Sequence, residues 1–100
     1  MEDQAVDGSI FMLLYQNMTT YILDVRSSEE YKSSHIENAI NLPVDELFDR
    51  SKYALAILKN IDKENDQIKV YCASGARAAI VKSILEFMQY KNVTNMGGLN

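Results

Sequence analysis

Four short apolar runs separated by longer stretches of mostly helical period constrain the fold of this chain more than any other feature. The runs are Tyr21-Ile22-Leu23-Asp24-Val25, Ala39-Ile40-Asn41-Leu42, Ile68-Lys69-Val70-Tyr71 and Asn92-Val93-Thr94-Asn95-Met96. Runs of this length suit buried strands, and their alternation with helices is the pattern of βαβ units around a mostly parallel sheet.

The intervening segments carry helix signals. Ser27-Ser28-Glu29-Glu30 fits a capping box, because a Ser at the cap and a Glu three residues on satisfy each other's orphan N–H groups; a short helix from Ser28 to about Ser33 is predicted. Val44 to about Asn60 carries Leu47, Phe48, Leu55 and Leu58 on a broken apolar stripe, which predicts one bent helix or two shorter ones. From about Ala76 to Met88, Ile80, Ile84 and Met88 line one face with Val81, Leu85 and Phe87 beside it, while Lys82, Ser83, Glu86 and Gln89 mark the wet side. Upstream, Ser9 to about Asn17 is apolar on most sides and is expected to form a helix packed on the sheet. Glu2 to Val6 reads as a frayed edge strand or no strand at all.

A length of 100 residues, 47% of them apolar, suits one domain with one modest core, and no repeat, low-complexity tract or linker divides it. The net charge of −4 and the scattered lysines argue against nucleic acid or an anionic membrane as partner. The apolar run Ile10 to Tyr15 is too short to span a bilayer, and Glu2, Asp3 and Asp7 precede it where a secretory signal would be basic. One cysteine and one histidine leave no intramolecular disulfide and no Cys/His zinc cluster, so a reducing, cytoplasmic setting is expected.

Chemistry concentrates in Ile68-Lys69-Val70-Tyr71-Cys72-Ala73-Ser74-Gly75-Ala76-Arg77, a buried strand that runs into small residues and then opens a helix. In parallel sheets the C-terminal strand edge is where ligands bind, since loops converge there and the next helix points its positive N-terminus at the crevice. Ala73, Ser74, Gly75 and Ala76 are small enough to let their N–H groups turn inward, and Gly75 can take a positive φ where the loop curls. Such a nest binds an anion and favours thiolate over thiol at Cys72. Arg77 adds a permanent charge with a fork of donors, for a bound oxyanion or for the loop's own carbonyls. An isolated cytosolic cysteine beside a strand is ordinarily a small buried hydrophobe, and an arginine at a helix start is ordinarily solvated. Both in one loop, with a glycine between them, point to a site.

Cys72-Ala73-Ser74-Gly75-Ala76-Arg77 resembles the Cys-x-x-Gly-x-Arg active-site loop of rhodanese-like sulfurtransferases, especially the single-domain bacterial kind. Leu23-Asp24-Val25-Arg26, Glu30-Tyr31, His35-Ile36 and Ala39-Ile40-Asn41-Leu42-Pro43 are similar to the family's other signature stretch, and Asn92-Val93 with Gly97-Gly98-Leu99 resemble its closing strand. Ser34 and Gln89 stand where many members have glycine. The chain also stops at Asn100, where relatives usually continue into a tryptophan-bearing turn or helix, so residues 1–100 are expected to form one domain that is either cut short or naturally minimal.

The resemblance implies a three-layer α/β fold with a central, mostly parallel sheet of four or five strands and helices on both faces. It implies a sulfurtransferase in which the Cys72 thiolate takes sulfur from a donor such as thiosulfate or a persulfide. The resulting persulfide is held by the amides of Ala73, Ser74, Gly75, Ala76 and Arg77 until a thiol, cyanide or a protein acceptor removes it. No cofactor or metal is implied, and a monomer is expected. Asp24 and Arg26 are expected to pair structurally near the site, and His35 to fix a turn. Two rival functions are a non-catalytic protein-binding module and a phosphatase or arsenate reductase. The latter use a loop with five residues between Cys and Arg, against four here.

Overall fold

The computed structural model describes residues 18–99, so the expectations for Glu2–Val6 and Ser9–Asn17 lie outside the described residues. In chain order the elements are β1 (Thr20–Asp24), α1 (Ser28–Ser33), β2 (Ile40–Asn41), α2 (Val44–Phe48), α3 (Lys52–Lys59), β3 (Gln67–Cys72), α4 (Ala76–Phe87) and β4 (Val93–Gly98). The strands form a four-stranded parallel sheet in the order β2-β1-β3-β4. Right-handed crossovers place α1 on one face and α2, α3 and α4 on the other, and α2 accordingly touches both α3 and α4. Among the described residues no helix is long and apolar enough to cross a membrane.

Local chemistry sets the element ends. The Ser27 hydroxyl accepts from the Glu30 amide while the Glu30 carboxylate accepts from the Ser27 amide, which closes the capping box at α1. The stretch from Val44 to Asn60 divides into two helices because Arg50 takes a φ of 50° between them and Ser51 caps α3 through the Ala54 amide. Within it Leu47 and Leu58 are buried, but Phe48 is 60% exposed and Leu55 is exposed as well. At the opposite sheet edge, buried Asp66 accepts from the amides of Thr19 at 2.9 Å and Asp62 at 2.8 Å, tying the start of β1 to the turn before β3.

The core lies between the sheet and the α2–α4 face. Leu23 and Val25 meet Ile68, Val70 and Cys72 from the neighbouring strand, with Leu47, Ala54, Leu58, Ala78, Val81 and Leu85 above them. One expectation is corrected here. The face of α4 that enters the core is Ala78, Val81 and Leu85; Ile84 and Met88 sit at its margin, Ile80 is 46% exposed and Phe87 is 81% exposed. In this orientation the first turn also points the Ala78 amide at the Cys72 sulfur. Positions 81 and 85 then follow on the same side at helical spacing.

Leu23 sits in the central strand pair with no exposed surface. Leu23→Ala is expected to destabilise the protein by about 2–5 kcal/mol, read from the urea midpoint at constant slope.

Candidate active site

Cys72 ends β3, and its backbone is held by the end of β4. The Leu99 amide donates to its carbonyl at 3.0 Å, and Cys72 pairs with Gly98 across an irregularity in the β3–β4 register. Beyond Cys72 the chain curls back over its own sulfur. Gly75 makes this possible with a φ of 99° at the cap of α4, a left-handed conformation that side-chain-bearing residues rarely adopt. The Gly75 amide donates to Sγ at 2.9 Å and the Ala78 amide at 3.4 Å. Burial pushes the Cys72 thiol up, but the backbone N–H groups of Ala78, Ser74, Gly75 and Arg77 outweigh it and hold the pKa below its ordinary value.

The ring of donors therefore extends one residue past the motif, to Ala78, which sequence reasoning missed. The signal for it was the helix start itself, since the free amides of a first turn converge on one point. Two further residues shape the loop without belonging to it. Asn95 on β4 donates from Nδ2 to the Gly75 carbonyl at 3.2 Å and accepts from the Gly97 amide at 2.7 Å. Gly98 lies so close that a Cβ there would stand 2.1 Å from the Ala73 carbonyl oxygen. Ala73 is half-buried, and Ser74 and Ala76 are exposed at the loop's rim.

Arg77 does not turn back on the carbonyls of its own loop. Its two terminal nitrogens donate to the two carboxylate oxygens of Glu30, at 2.8 and 3.1 Å, binding α4 to α1 across 47 residues of sequence. That fork, with the Ser27 amide behind it, holds the Glu30 carboxyl at about 2. At the end of β1, Asp24 and Arg26 form a second, buried pair. Arg26 donates through Nε and a terminal nitrogen to both Asp24 oxygens at 2.6–3.1 Å, and to the Ser34 carbonyl at 2.6 Å. Burial pushes the Asp24 carboxyl up, yet the hydrogen bonds from Arg26 and the Tyr71 hydroxyl, the latter at 2.7 Å, hold it below its ordinary value. Tyr71, also unforeseen, accepts from the Ile36 amide at 3.0 Å and so hangs the segment after α1 on the sheet.

His35 lies outside the ring. Its Nδ1 is 2.7 Å from the Tyr31 carbonyl, and its imidazole stacks on the Tyr31 ring at 3.7 Å, an arrangement that fixes the turn after α1. Arg26, Ser34, His35, Ile36 and Leu99 line a recess of about 370 Å³ at the same edge of the sheet. The structure thus brings Cys72, Ser74, Gly75 and Arg77 together with Ala78, while Asp24 and Arg26 pair at the end of β1 and His35 sits in the turn after α1.

Two outcomes follow from this geometry. Because a Cβ at Gly98 drives the Ala73 carbonyl out of place, Gly98→Ala is expected to raise the alkylation midpoint of Cys72 above that of the wild type; the pH profile of the iodoacetamide rate checks it. Glu30 has its folded pKa below its unfolded one, so its contribution is present above pH 4.5 and lost as pH falls toward 2. Between those limits the urea midpoint of the wild type is expected to fall further than that of Arg77→Gln.

Comparison with known proteins gives this architecture a lineage. The model of the rhodanese-like domain matches residues 12–100. The chain is 39% identical over 77 residues to the thiosulfate sulfurtransferase PspE of Escherichia coli, covering 77% of this chain and 68% of PspE. It is 32% identical to a putative mitochondrial thiosulfate sulfurtransferase of Schizosaccharomyces pombe, covering 80% of this chain but 60% of that protein. Among solved structures, a rhodanese with anions from E. coli superposes with a TM-score of 0.66 at 40% identity, covering 80% of this chain and 87% of that one. By family model, sequence and fold, the chain belongs to the rhodanese-like domain family.

Proposed function

We propose that this protein is a rhodanese-type sulfurtransferase that carries sulfane sulfur on Cys72. The observation that carries the reading is the convergence of the Gly75 and Ala78 amides on Sγ, at 2.9 and 3.4 Å, in a loop that lowers the thiol pKa. A thiolate is the nucleophile in sulfur exchange, and a lowered pKa supplies it without a separate base. The Cys72 thiolate attacks the outer sulfur of the donor, and the leaving group departs with the bonding electron pair as sulfite or a thiol. The persulfide anion left on Cys72 takes the loop amides as its donors, as an oxyanion hole does for oxygen. An acceptor thiol, cyanide or protein nucleophile then attacks the terminal sulfur and regenerates the thiolate.

In this reading Arg77 and Glu30 lock the loop, Asp24 and Arg26 stiffen the strand end beside it, and His35 holds the neighbouring turn. A reducing compartment such as the cytoplasm suits the cycle, since a lone catalytic thiol works only while it stays out of disulfides. The names of the E. coli and S. pombe relatives support the same chemistry.

Intact mass after incubation with a sulfane donor tests the proposal. A gain of one sulfur atom, removed by reductant and absent from Cys72→Ser, is the expected result. A folded protein with a free thiol that gains no sulfur from thiosulfate or from a persulfide would overturn it and make a non-catalytic binding module the better reading. Turnover of a phosphate ester would instead favour phosphatase chemistry.

A further inference from the structure

The core-facing side of β4 ends on a polar side chain. Val93 and Asn95 share that side, since side chains alternate between the faces of a strand, and Val93 is buried in the hydrophobic core. Another apolar residue would continue the face, yet position 95 carries a half-buried amide that reaches the Cys72 loop. Asn95 pairs with Val70, and from there the ladder slips: two steps along β3, from Val70 to Cys72, match three along β4, from Asn95 to Gly98. An extra residue of this kind bends a strand and re-aims its side chains. Gly97 takes up the bend with a φ of 90°.

The Asn95 side chain meets two backbone groups of opposite kind. Its Oδ1 accepts from the Gly97 amide at 2.7 Å, and its Nδ2 donates to the Gly75 carbonyl at 3.2 Å. Turning the side-chain amide over would set Nδ2 against an N–H and Oδ1 against a carbonyl, so the two contacts together fix one orientation. The two left-handed glycines also lie against each other, a Cβ on Gly75 standing 3.4 Å from the Gly97 Cα.

Gly75 is thereby held at both ends. Its amide donates to Sγ at 2.9 Å, and its carbonyl accepts from Asn95 and from the Ala79 amide, the latter at 2.9 Å. Glycine has no side chain with which to cap α4, and it leaves a positive φ as readily as it enters one. A swing of Gly75 toward negative φ takes its N–H off the sulfur and its carbonyl off Asn95 together. The bond at the carbonyl therefore opposes loss of the bond at the sulfur.

We propose that Asn95 is a positioning residue of the sulfur-transfer site, holding Gly75 in the conformation that aims the loop amides at Cys72. It acts through Gly75 and not on the sulfur. Its part in sulfur transfer rests on the sulfur-carrier reading of Cys72, whereas its hold on the thiol stands apart from that reading.

The pH profile of the iodoacetamide rate, measured on the wild type, Asn95→Leu and Asn95→Thr, tests the proposal. Leucine matches asparagine in size and suits the apolar face but makes neither bond. Threonine is a good strand residue that stops one atom short of the bridge. Both are uncharged, so neither alters the field at the thiol by its own charge. The alkylation midpoint is expected to rise in each by roughly half to one pH unit, so that the rate at pH 7 falls about 3- to 10-fold. A side chain that only stabilised the fold would lower the urea midpoint and leave the pH midpoint in place. An unchanged pH midpoint in either folded variant overturns the proposal. Sulfur loading from thiosulfate, followed by intact mass at pH 7, is expected to slow in the same variants. A wild type that loads no sulfur overturns the sulfur-carrier reading instead, while a raised alkylation midpoint still establishes the hold of Asn95 on the thiol.

Discussion

The candidate site depends on gathering backbone amides around one buried sulfur. Amides are weak donors singly, and they act together only if the chain turns them all toward one point and keeps them there. Each unusual feature around Cys72 serves that requirement. Gly75 supplies the left-handed turn, Gly98 leaves room for the Ala73 carbonyl, and Asn95 holds the Gly75 carbonyl so that the following amides face inward. The first turn of α4 completes the set with the Ala78 amide.

Charge around the ring is arranged in closed pairs. Asp24 and Arg26 are buried together, where an unpaired ion would be costly, and Tyr71 supplies a further hydrogen bond. Arg77 and Glu30 are only half-buried, so their value lies less in energy than in geometry: one bidentate contact joins α1 to the loop over the top of the sheet. Glu30 also closes the cap of its own helix with Ser27. A single carboxylate thus fixes a helix start and the arginine of the Cys72 loop at once.

Much of this was legible in the sequence. The four strands lie within a few residues of the runs that suggested them, α1 begins and ends at Ser28 and Ser33 as its capping box implied, and the Cys-to-Arg loop opens a helix. These are local signals, written in neighbouring residues. What could not be read was long-range. No periodicity relates Glu30 to Arg77, Tyr71 to Asp24, or Asn95 to Gly75, because parallel pairing brings together segments far apart in the chain. The face of α4 was misread for a related reason. Apolar spacing reports which residues prefer the core, while the neighbouring elements that the helix packs against, distant in sequence, decide which of them enter it.

Cys72 has no exposed surface in this conformation. In that conformation the ring of amides covers the sulfur, so a reagent that reaches it must first displace part of the loop. An observed rate constant for this thiol then combines two quantities, its intrinsic reactivity and the fraction of time the loop stands ajar. Asn95 and the contact of Arg77 with Glu30 brace the loop over the sulfur, which makes reactivity here a property of loop breathing as much as of acidity.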